Sequence, residues 1–231
     1  MDARRRQSGR GIGMNTAVFL QVLDILKQEY PKWNAPVVTL IATHSNDPFL
    51  VLISTILSLR TKDETTREGC ARLFSLAKTA ASMRLLPIET ISKAIYPVGF
   101  HNQKARQIHD ICERLEEEFG GAVPNDIDTL LTFKGVGRKT ANLVVSLGFN
   151  TPAVCVDTHV HRISNILGFI ETKTPDESEF ALRKKVPIDR WIGINDLLVA
   201  FGQTICKSVS PFCSQCPIET LCPKIGVKRK R

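Results

Sequence analysis

Four cysteines near the C-terminal end of the chain have a spacing that suits a metal centre. They follow the pattern C-x6-C-x2-C-x5-C, at Cys206, Cys213, Cys216 and Cys222. Because four soft thiolates packed this closely can enclose either zinc or an iron–sulfur cluster, the residues alone leave both centres open. Either centre would fold a stretch that is too short to form a hydrophobic core of its own.

A glycine-containing turn, Lys134-Gly135-Val136-Gly137-Arg138, lies between predicted helices over 126–133 and 138–148. Its two glycines permit positive φ angles and leave backbone amides uncovered. Amides that converge just before a helix N-terminus form an anion site suited to a DNA phosphate. The alternative interpretation is a plain connection between two helices.

Lys139 follows this turn and lies in the first turn of the second predicted helix. A helix N-terminus disfavours an ammonium ion, and burial against Leu143 and Val144 would act in the same direction. Both effects favour the neutral amine, which is a nucleophile. A solvated lysine that binds phosphate is the alternative.

Asp157 follows an apolar segment over 154–156 and precedes another predicted helix. Its default role is to cap that helix. A carboxylate at this position could also stabilise positive charge that develops on a sugar, provided that Lys139 lies nearby. The chemical hypothesis therefore requires these two residues to meet in space.

The composition favours a polyanionic partner. The chain has 231 residues, with 31 Lys and Arg against 23 Asp and Glu, and a net charge of +8. Nucleic acid is the first candidate for such a partner, and an anionic membrane surface is the second. No signal peptide is evident, and the longest apolar stretch, Phe49–Leu57, is too short to span a bilayer. Cys70, Cys112 and Cys155 are predicted to be small buried side chains in a reducing compartment.

The periodicity and the turn residues predict an almost entirely helical protein. Residues 1–13 are predicted to be a disordered basic tail, and 30–46 a loop. Helices are predicted over 14–29, 49–59, 63–76, 79–85, 88–95, 102–119, 126–133, 138–148, 157–167, 176–185 and 189–204. We expect one helical-bundle lobe over 45–151, ending in the turn. A second lobe joins 14–44 to 152–231 and includes the cysteines.

Three segments carry a family resemblance. Leu130–Asn142 resembles the helix–hairpin–helix of the endonuclease III family of DNA glycosylases, and Val156–Val160 resembles that family's Gly/Pro-rich loop and its aspartate. The cysteine spacing is the one that the family uses for a [4Fe-4S] cluster. The resemblance implies an all-α, two-lobed helix-hairpin-helix glycosylase with a C-terminal [4Fe-4S] cluster loop, held by the four clustered cysteines.

The resemblance also implies an activity. Lys139 takes the position of the nucleophile and Asp157 that of the catalytic carboxylate. A lysine there matches the bifunctional branch, in which the amine attacks C1′ after a damaged base is extruded. The base departs, a Schiff base forms, and β-elimination cuts the strand on the 3′ side. The implied substrates are oxidised or ring-saturated pyrimidines, and abasic sites, in double-stranded DNA. The implied enzyme is a monomer that has no membrane partner. It works in the cytoplasm or nucleoid of a prokaryote, or in the nucleus of a eukaryote.

Two other functions remain open at this point. One is a monofunctional mismatch glycosylase on the same scaffold, which would release a base without cutting the strand; the presence of Lys139 argues against it. The other is a non-catalytic helix–hairpin–helix module that binds DNA and holds a structural zinc.

Two further segments resemble the family's duplex-inserting loops, but each departs at one position. In Ile56–Asp63, Arg60 stands where the family has glutamine, and in Gly99–Ala105, Phe100 stands where it has an aliphatic residue. Phe100 could still wedge the base stack, and Arg60 has only donors, which suit a purine's acceptors. The alternatives are packing for Phe100 and a phosphate contact for Arg60.

The predicted DNA contacts come from several segments of the chain. They are Arg60, Phe100, Lys134, Gly135, Val136, Gly137, Arg138 and Lys207. Lys207 is the only charged residue between the first two clustered cysteines, a loop that is basic in the family, so we expect a weaker DNA contact there. Basic residues over 224–231 either supplement that contact or form a free tail.

Overall fold

The computed structural model describes residues 13–231, and these residues form helices without a β-strand. The predicted all-α class is therefore confirmed for the described part, whereas nearly all of the predicted tail, 1–12, lies outside it. The helices are α1 (Thr16–Glu29), α2 (Val37–Ser45), α3 (Pro48–Ser58), α4 (Asp63–Leu76), α5 (Ala80–Arg84), α6 (Ile88–Ile95), α7 (His101–Phe119), α8 (Ile127–Leu131), α9 (Arg138–Leu143), α10 (Thr158–Ile166), α11 (Pro175–Lys185) and α12 (Trp191–Thr204).

Helix α3 is the centre of a first hydrophobic core. It begins as predicted, because the Asp47 carboxylate accepts a hydrogen bond from the Phe49 N–H (2.8 Å) and Pro48 occupies the first helical position. Almost every side chain of α3 is buried, which matches its lack of a polar face. Buried side chains from α2 and α4 to α9 surround it.

The predicted loop over 30–46 was wrong in one respect, because it contains α2. The β-branched residues Val37, Val38 and Thr39 disfavour a helix locally. Packing overrides this preference, since Val37, Val38 and Ala42 are buried in the first core. The sequence-based prediction places 14–44 in the second lobe, whereas the buried face of α2 packs in the first core.

A second hydrophobic core is formed by α1, α10, α11 and α12. The rings of Phe19 and Phe169 stack within it, with centroids 3.8 Å apart. The apolar segment before Asp157 contributes Val154 and Val156 to this core. As a result, the start of α10 is held firmly at the edge of the second core.

Helices α8 and α9 form the predicted hairpin, and α9 continues as a π-helical turn over Val144–Gly148. A Cβ atom at Gly148 would lie 3.0 Å from the Pro48 Cα, so glycine allows the end of this turn to contact the start of α3. Between residues 13 and 231, no helix has the length and apolar character needed to cross a membrane.

Candidate active site and DNA-contact surface

A single cleft brings Lys139 and Asp157 together. Its lining comes from α2, α3, α4 and α9 on one side and from α10 and α12 on the other, and it encloses about 160 Å³. Lys139 is half-buried at the second position of α9, and Asp157 is half-buried just before α10. The condition on which the chemical hypothesis depends, that the two residues share one site, is therefore met.

Cys155 connects the backbones that carry these two residues. Its thiol donates a hydrogen bond to the Lys139 carbonyl oxygen (3.5 Å), and its own carbonyl accepts one from the Asn195 side chain (3.4 Å). Burial raises the pKa of the Cys155 thiol to about 12, so the thiol stays protonated and keeps its donor at neutral pH. The predicted buried position is correct, and the residue also fixes α9 against the segment that precedes Asp157.

One oxygen of the Asp157 carboxylate accepts hydrogen bonds from the protein, and the other is available to a ligand. Oδ1 accepts hydrogen bonds from the N–H groups of His159 (2.8 Å) and Val160 (2.9 Å), which confirms the predicted helix cap. Within residues 13–231, Oδ2 has no hydrogen-bond partner. The cap thus orients the side chain and leaves an anionic oxygen for a ligand in the cleft.

His159 and Asp63 also line the cleft with polar side chains, and the sequence analysis identified neither residue. Burial lowers the pKa of His159. The charge of Asp157 opposes this shift and the charges of Arg162 and Lys139 add to it, and the net direction is downward, which favours the neutral imidazole near pH 7. Asp63 Oδ2 accepts the Val37 N–H (3.2 Å) and joins α4 to α2. His159 could have been found from its place beside Asp157, whereas the contact of Asp63 with α2 has no local signal.

The hairpin turn uses its two glycines differently. Gly135 has a φ of +80°, which favours glycine, and a Cβ atom there would also displace the end of the Gln107 side chain, whose Nε2 would lie 2.5 Å away. Gly137 has an extended backbone with a φ of −95°, so it does not use the positive φ that glycine permits. Within the described chain, the N–H groups of Gly135 and Gly137 have no protein acceptor, and Lys134 is exposed beside them.

Two predicted DNA contacts in the hairpin are engaged by the protein itself. Val136 is buried, and its N–H donates to the Phe133 carbonyl (3.0 Å), which leaves neither group for a ligand. Arg138 Nε donates to Glu179 (2.8 Å), a residue only 2% exposed, in a two-pronged ion pair. Its guanidinium also stacks on Phe180, 4.7 Å from the ring centroid. The geometry therefore assigns Arg138 to joining the hairpin with α11.

Arg60 and Phe100 form one exposed projection from two different turns. Both have left-handed backbones, with φ of 53° and 60°, which is costly for residues other than glycine. Phe100 is 59% exposed, so the alternative that it packs in the core is wrong. The Arg60 guanidinium lies 5.7 Å from the centre of its ring, within cation–π range.

Lys104 ties these two turns together from beneath. It is only 5% exposed, and its Nζ donates to the carbonyls of Leu57 (2.9 Å) and Leu59 (2.6 Å) and to the Thr61 hydroxyl (3.2 Å). The same hydroxyl accepts the Gly99 N–H (3.2 Å). The sequence analysis did not identify Lys104, although a lysine on the inward face of α7, in line with Ile108 and Ile111, is a usable signal.

The four clustered cysteines lie around one pocket next to the second core, which α10 and α12 also line. Arg162 Nη1 lies 3.8 Å from the Cys206 sulfur as a donor. Burial raises the pKa of Cys206 and Cys222, and that of Cys216 to about 11, so a bound cation would have to replace their protons. Lys207 is exposed, with its amine 5.3 Å from the centre of the Phe212 ring.

Comparison with known sequences places this cleft within a described family. Residues 53–188 match the HhH-GPD superfamily of base excision DNA repair proteins. The chain is 47% identical to endonuclease III of Thermotoga maritima over 176 residues, which cover 76% of this chain and 83% of that protein. It is 38% identical to endonuclease III of Bacillus subtilis over 189 residues, with coverage of 81% and 85%.

Solved structures give the same relationship over a longer part of the chain. A trapped covalent intermediate of endonuclease III with DNA, in an estranged-adenine complex, superposes with a TM-score of 0.81 at 34% identity, covering 91% of this chain and 97% of that one. A thermostable thymine-DNA glycosylase gives a TM-score of 0.76 at 26% identity, with coverage of 90% and 95%.

Proposed function

Because the chain belongs to the endonuclease III family of base excision DNA repair proteins, we propose that Lys139 is the nucleophile with which it releases damaged bases. The protein is a DNA glycosylase with AP lyase activity. The observation that carries the assignment of Lys139 is its position in the same cleft as Asp157, at a helix start tied to the Asp157 segment through Cys155.

In the proposed reaction, the neutral Lys139 amine attacks C1′ of the damaged nucleotide. The glycosidic bond breaks, and its electron pair leaves with the base. The ammonium formed at Nζ gives a proton to the departed base. The C1′–O4′ bond then breaks, O4′ keeps the electron pair and takes up a proton from solvent, and the Nζ lone pair forms the C1′=Nζ bond of a protonated Schiff base. Removal of a 2′ proton expels the 3′ phosphate by β-elimination, which cuts the strand. Asp157 stabilises the positive charge on the sugar through its available oxygen.

We propose oxidised or ring-saturated pyrimidines and abasic sites in duplex DNA as substrates, and a monomeric enzyme. The substrate cleft opens between the two cores, and Lys134 with the free N–H groups of Gly135 and Gly137 would bind a phosphate beside it. The exposed Arg60–Phe100 projection would enter the duplex and occupy the space that the extruded base leaves.

We further propose that Cys206, Cys213, Cys216 and Cys222 hold a [4Fe-4S] cluster. The four thiols line one pocket, and their spacing is the one that the resemblance associates with this cluster. Its contribution would be to stabilise the C-terminal fold, since neither Lys139 nor Asp157 lines the pocket around it.

Borohydride trapping on abasic duplex DNA tests the assignment of Lys139. Borohydride reduces a Schiff base to a stable amine, so the wild type should yield a covalent protein–DNA adduct and Lys139→Gln should yield none. Lys134→Gln is the matched control, because it removes the same charge from the same hairpin but leaves the cleft intact. Lys134→Gln should retain trapping, with weaker DNA binding.

The same experiment separates the other candidate functions. A monofunctional glycosylase would release a mismatched base and give no adduct, and a non-catalytic zinc module would do neither. A colourless protein that contains zinc and no sulfide would refute the cluster assignment, independently of the result on Lys139.

A further inference from the structure

The C-terminal segment of the described chain, residues 224–231, is attached to the rest of the protein at three points. Lys224 pairs with Glu219 (2.7 Å), and the Ile225 N–H donates to the Ile166 carbonyl (3.0 Å). Arg231 closes the segment: its N–H donates to Pro211 O (2.8 Å). Its carbonyl accepts the Ser214 N–H (3.0 Å). Residues 224–231 therefore run along the cysteine loop, and the alternative of a free tail is wrong.

The Arg231 side chain strengthens this attachment. Its guanidinium donates from Nη2 to the Ser210 carbonyl (3.1 Å) and lies 4.1 Å from the centre of the Phe212 ring. Lys207 approaches the same ring at 5.3 Å. Cation–π contacts on one ring thus hold a cation of the segment beside the one cation of the cysteine loop.

Between these attachment points the segment and the loop enclose an open groove of about 420 Å³. Four cations line it, namely Arg162, Lys207, Lys228 and Arg229, and no acidic residue does. Within the described chain, Lys228 and Arg229 are exposed and have no ion-pair or hydrogen-bond partner. Four cations with no acidic residue among them create a positive potential in this groove that favours a polyanion.

Arg162 connects this groove with the catalytic cleft. Its Nη2 donates to His159 Nδ1 (3.3 Å), and His159 lines the cleft, while Arg162 itself lines the groove. The two concave surfaces therefore adjoin across a single pair of side chains. A duplex held in the cleft would extend over the groove with its phosphates toward the cations.

We propose that residues 224–231, folded against the cysteine loop, form a second phosphate-binding groove for the backbone of duplex DNA, in which Lys228 and Arg229 are the principal ligands. This inference rests on the proposed function, since it concerns the DNA that the cleft binds. It explains how a cysteine loop with a single charge, Lys207, still presents a cationic surface: the missing charges come from another segment of the chain.

The test is the salt dependence of binding to an undamaged duplex, on which no turnover occurs. A plot of the logarithm of the DNA-binding constant against the logarithm of the salt concentration has a negative slope. Each lost phosphate contact lowers the magnitude of this slope by about 0.9. The variant Lys228→Gln/Arg229→Gln should therefore lower the slope by about 2 and weaken binding by about 10-fold. The control is Lys78→Gln/Lys93→Gln, which removes the same charge from two exposed lysines outside both the cleft and the groove.

A slope that stays at the wild-type value in Lys228→Gln/Arg229→Gln, or falls equally in the control, would overturn the inference. Loss of binding to a glutamate-rich peptide in that variant, without a change in the DNA slope, would assign the groove to an acidic protein instead. Failure of trapping would refute the catalytic proposal, and the slope can be measured regardless.

Discussion

The cleft and the Arg60–Phe100 projection differ in backbone conformation, in exposure and in the contacts that support them. Lys139 and Asp157 lie at ordinary helix starts, half-buried and oriented by hydrogen bonds of their own elements. Arg60 and Phe100 are left-handed, exposed, and held from beneath by Lys104. The proposed catalytic groups therefore lie on unstrained backbone, whereas Arg60 and Phe100, which are proposed to meet the duplex, have left-handed backbones. The projection is also where the chain departs from the family's residues.

Among the substitutions that test this difference, Asp157→Asn should have the largest effect, which is on the rate of base release. Asparagine is also a good N-cap, so the bonds to the His159 and Val160 N–H groups survive and α10 stays intact. The negative charge is lost, and single-turnover base release should fall on the order of 10²- to 10³-fold. Binding to damaged DNA should change little. A rate within about 3-fold of wild type would contradict the role assigned to the carboxylate.

Lys104→Met should have the next largest effect, on stability. It leaves the Leu57 and Leu59 carbonyls without their donor in a buried site, so the free energy of unfolding should fall by about 2 kcal/mol in urea titrations. DNA binding should weaken as well, because the Arg60 turn loses its support. Lys93→Met is the control, since Lys93 is exposed, and should change stability by no more than about 0.5 kcal/mol.

Lys104 also predicts a pH dependence. Burial lowers its pKa from 10.5 to about 8, so between these values the unfolded chain binds more protons than the folded one. Stability from this group therefore rises as pH increases from 8 to 10.5. The wild type should gain stability relative to Lys104→Met between pH 7.5 and about pH 9.5. A difference that is constant across this range would mean that burial does not lower the pKa of Lys104.

The smallest predicted effect is the coupling between Arg60 and Phe100. A double-mutant cycle of Arg60→Gln and Phe100→Leu, which restores the family's residue types, should give a coupling of about 0.5–1 kcal/mol in DNA binding. The order of preference for the base opposite the lesion should change with Arg60→Gln. Strict additivity would mean that the two side chains act independently despite their 5.7 Å contact.

Much of this arrangement could be predicted from the sequence, because local signals were strong. The Asp47–Pro48 helix start, the amphipathic α7 and the glycine turn each combine periodicity with a stop or start residue. Helix α2 could not be predicted, because its residues disfavour helix and only packing on α3 stabilises it. The partner of Arg138 could not either, since Glu179 lies in a helix distant in sequence. The chemistry was therefore predictable from motifs, and the contacts that hold it were not.

Mapping the reduced adduct by mass spectrometry tests the central claim most directly. After borohydride trapping on an abasic duplex, the protein is digested and the modified lysine is identified. The account predicts a single modified residue, Lys139. An adduct on Lys104, Lys134 or any other amine, or no adduct from the wild type, would contradict it.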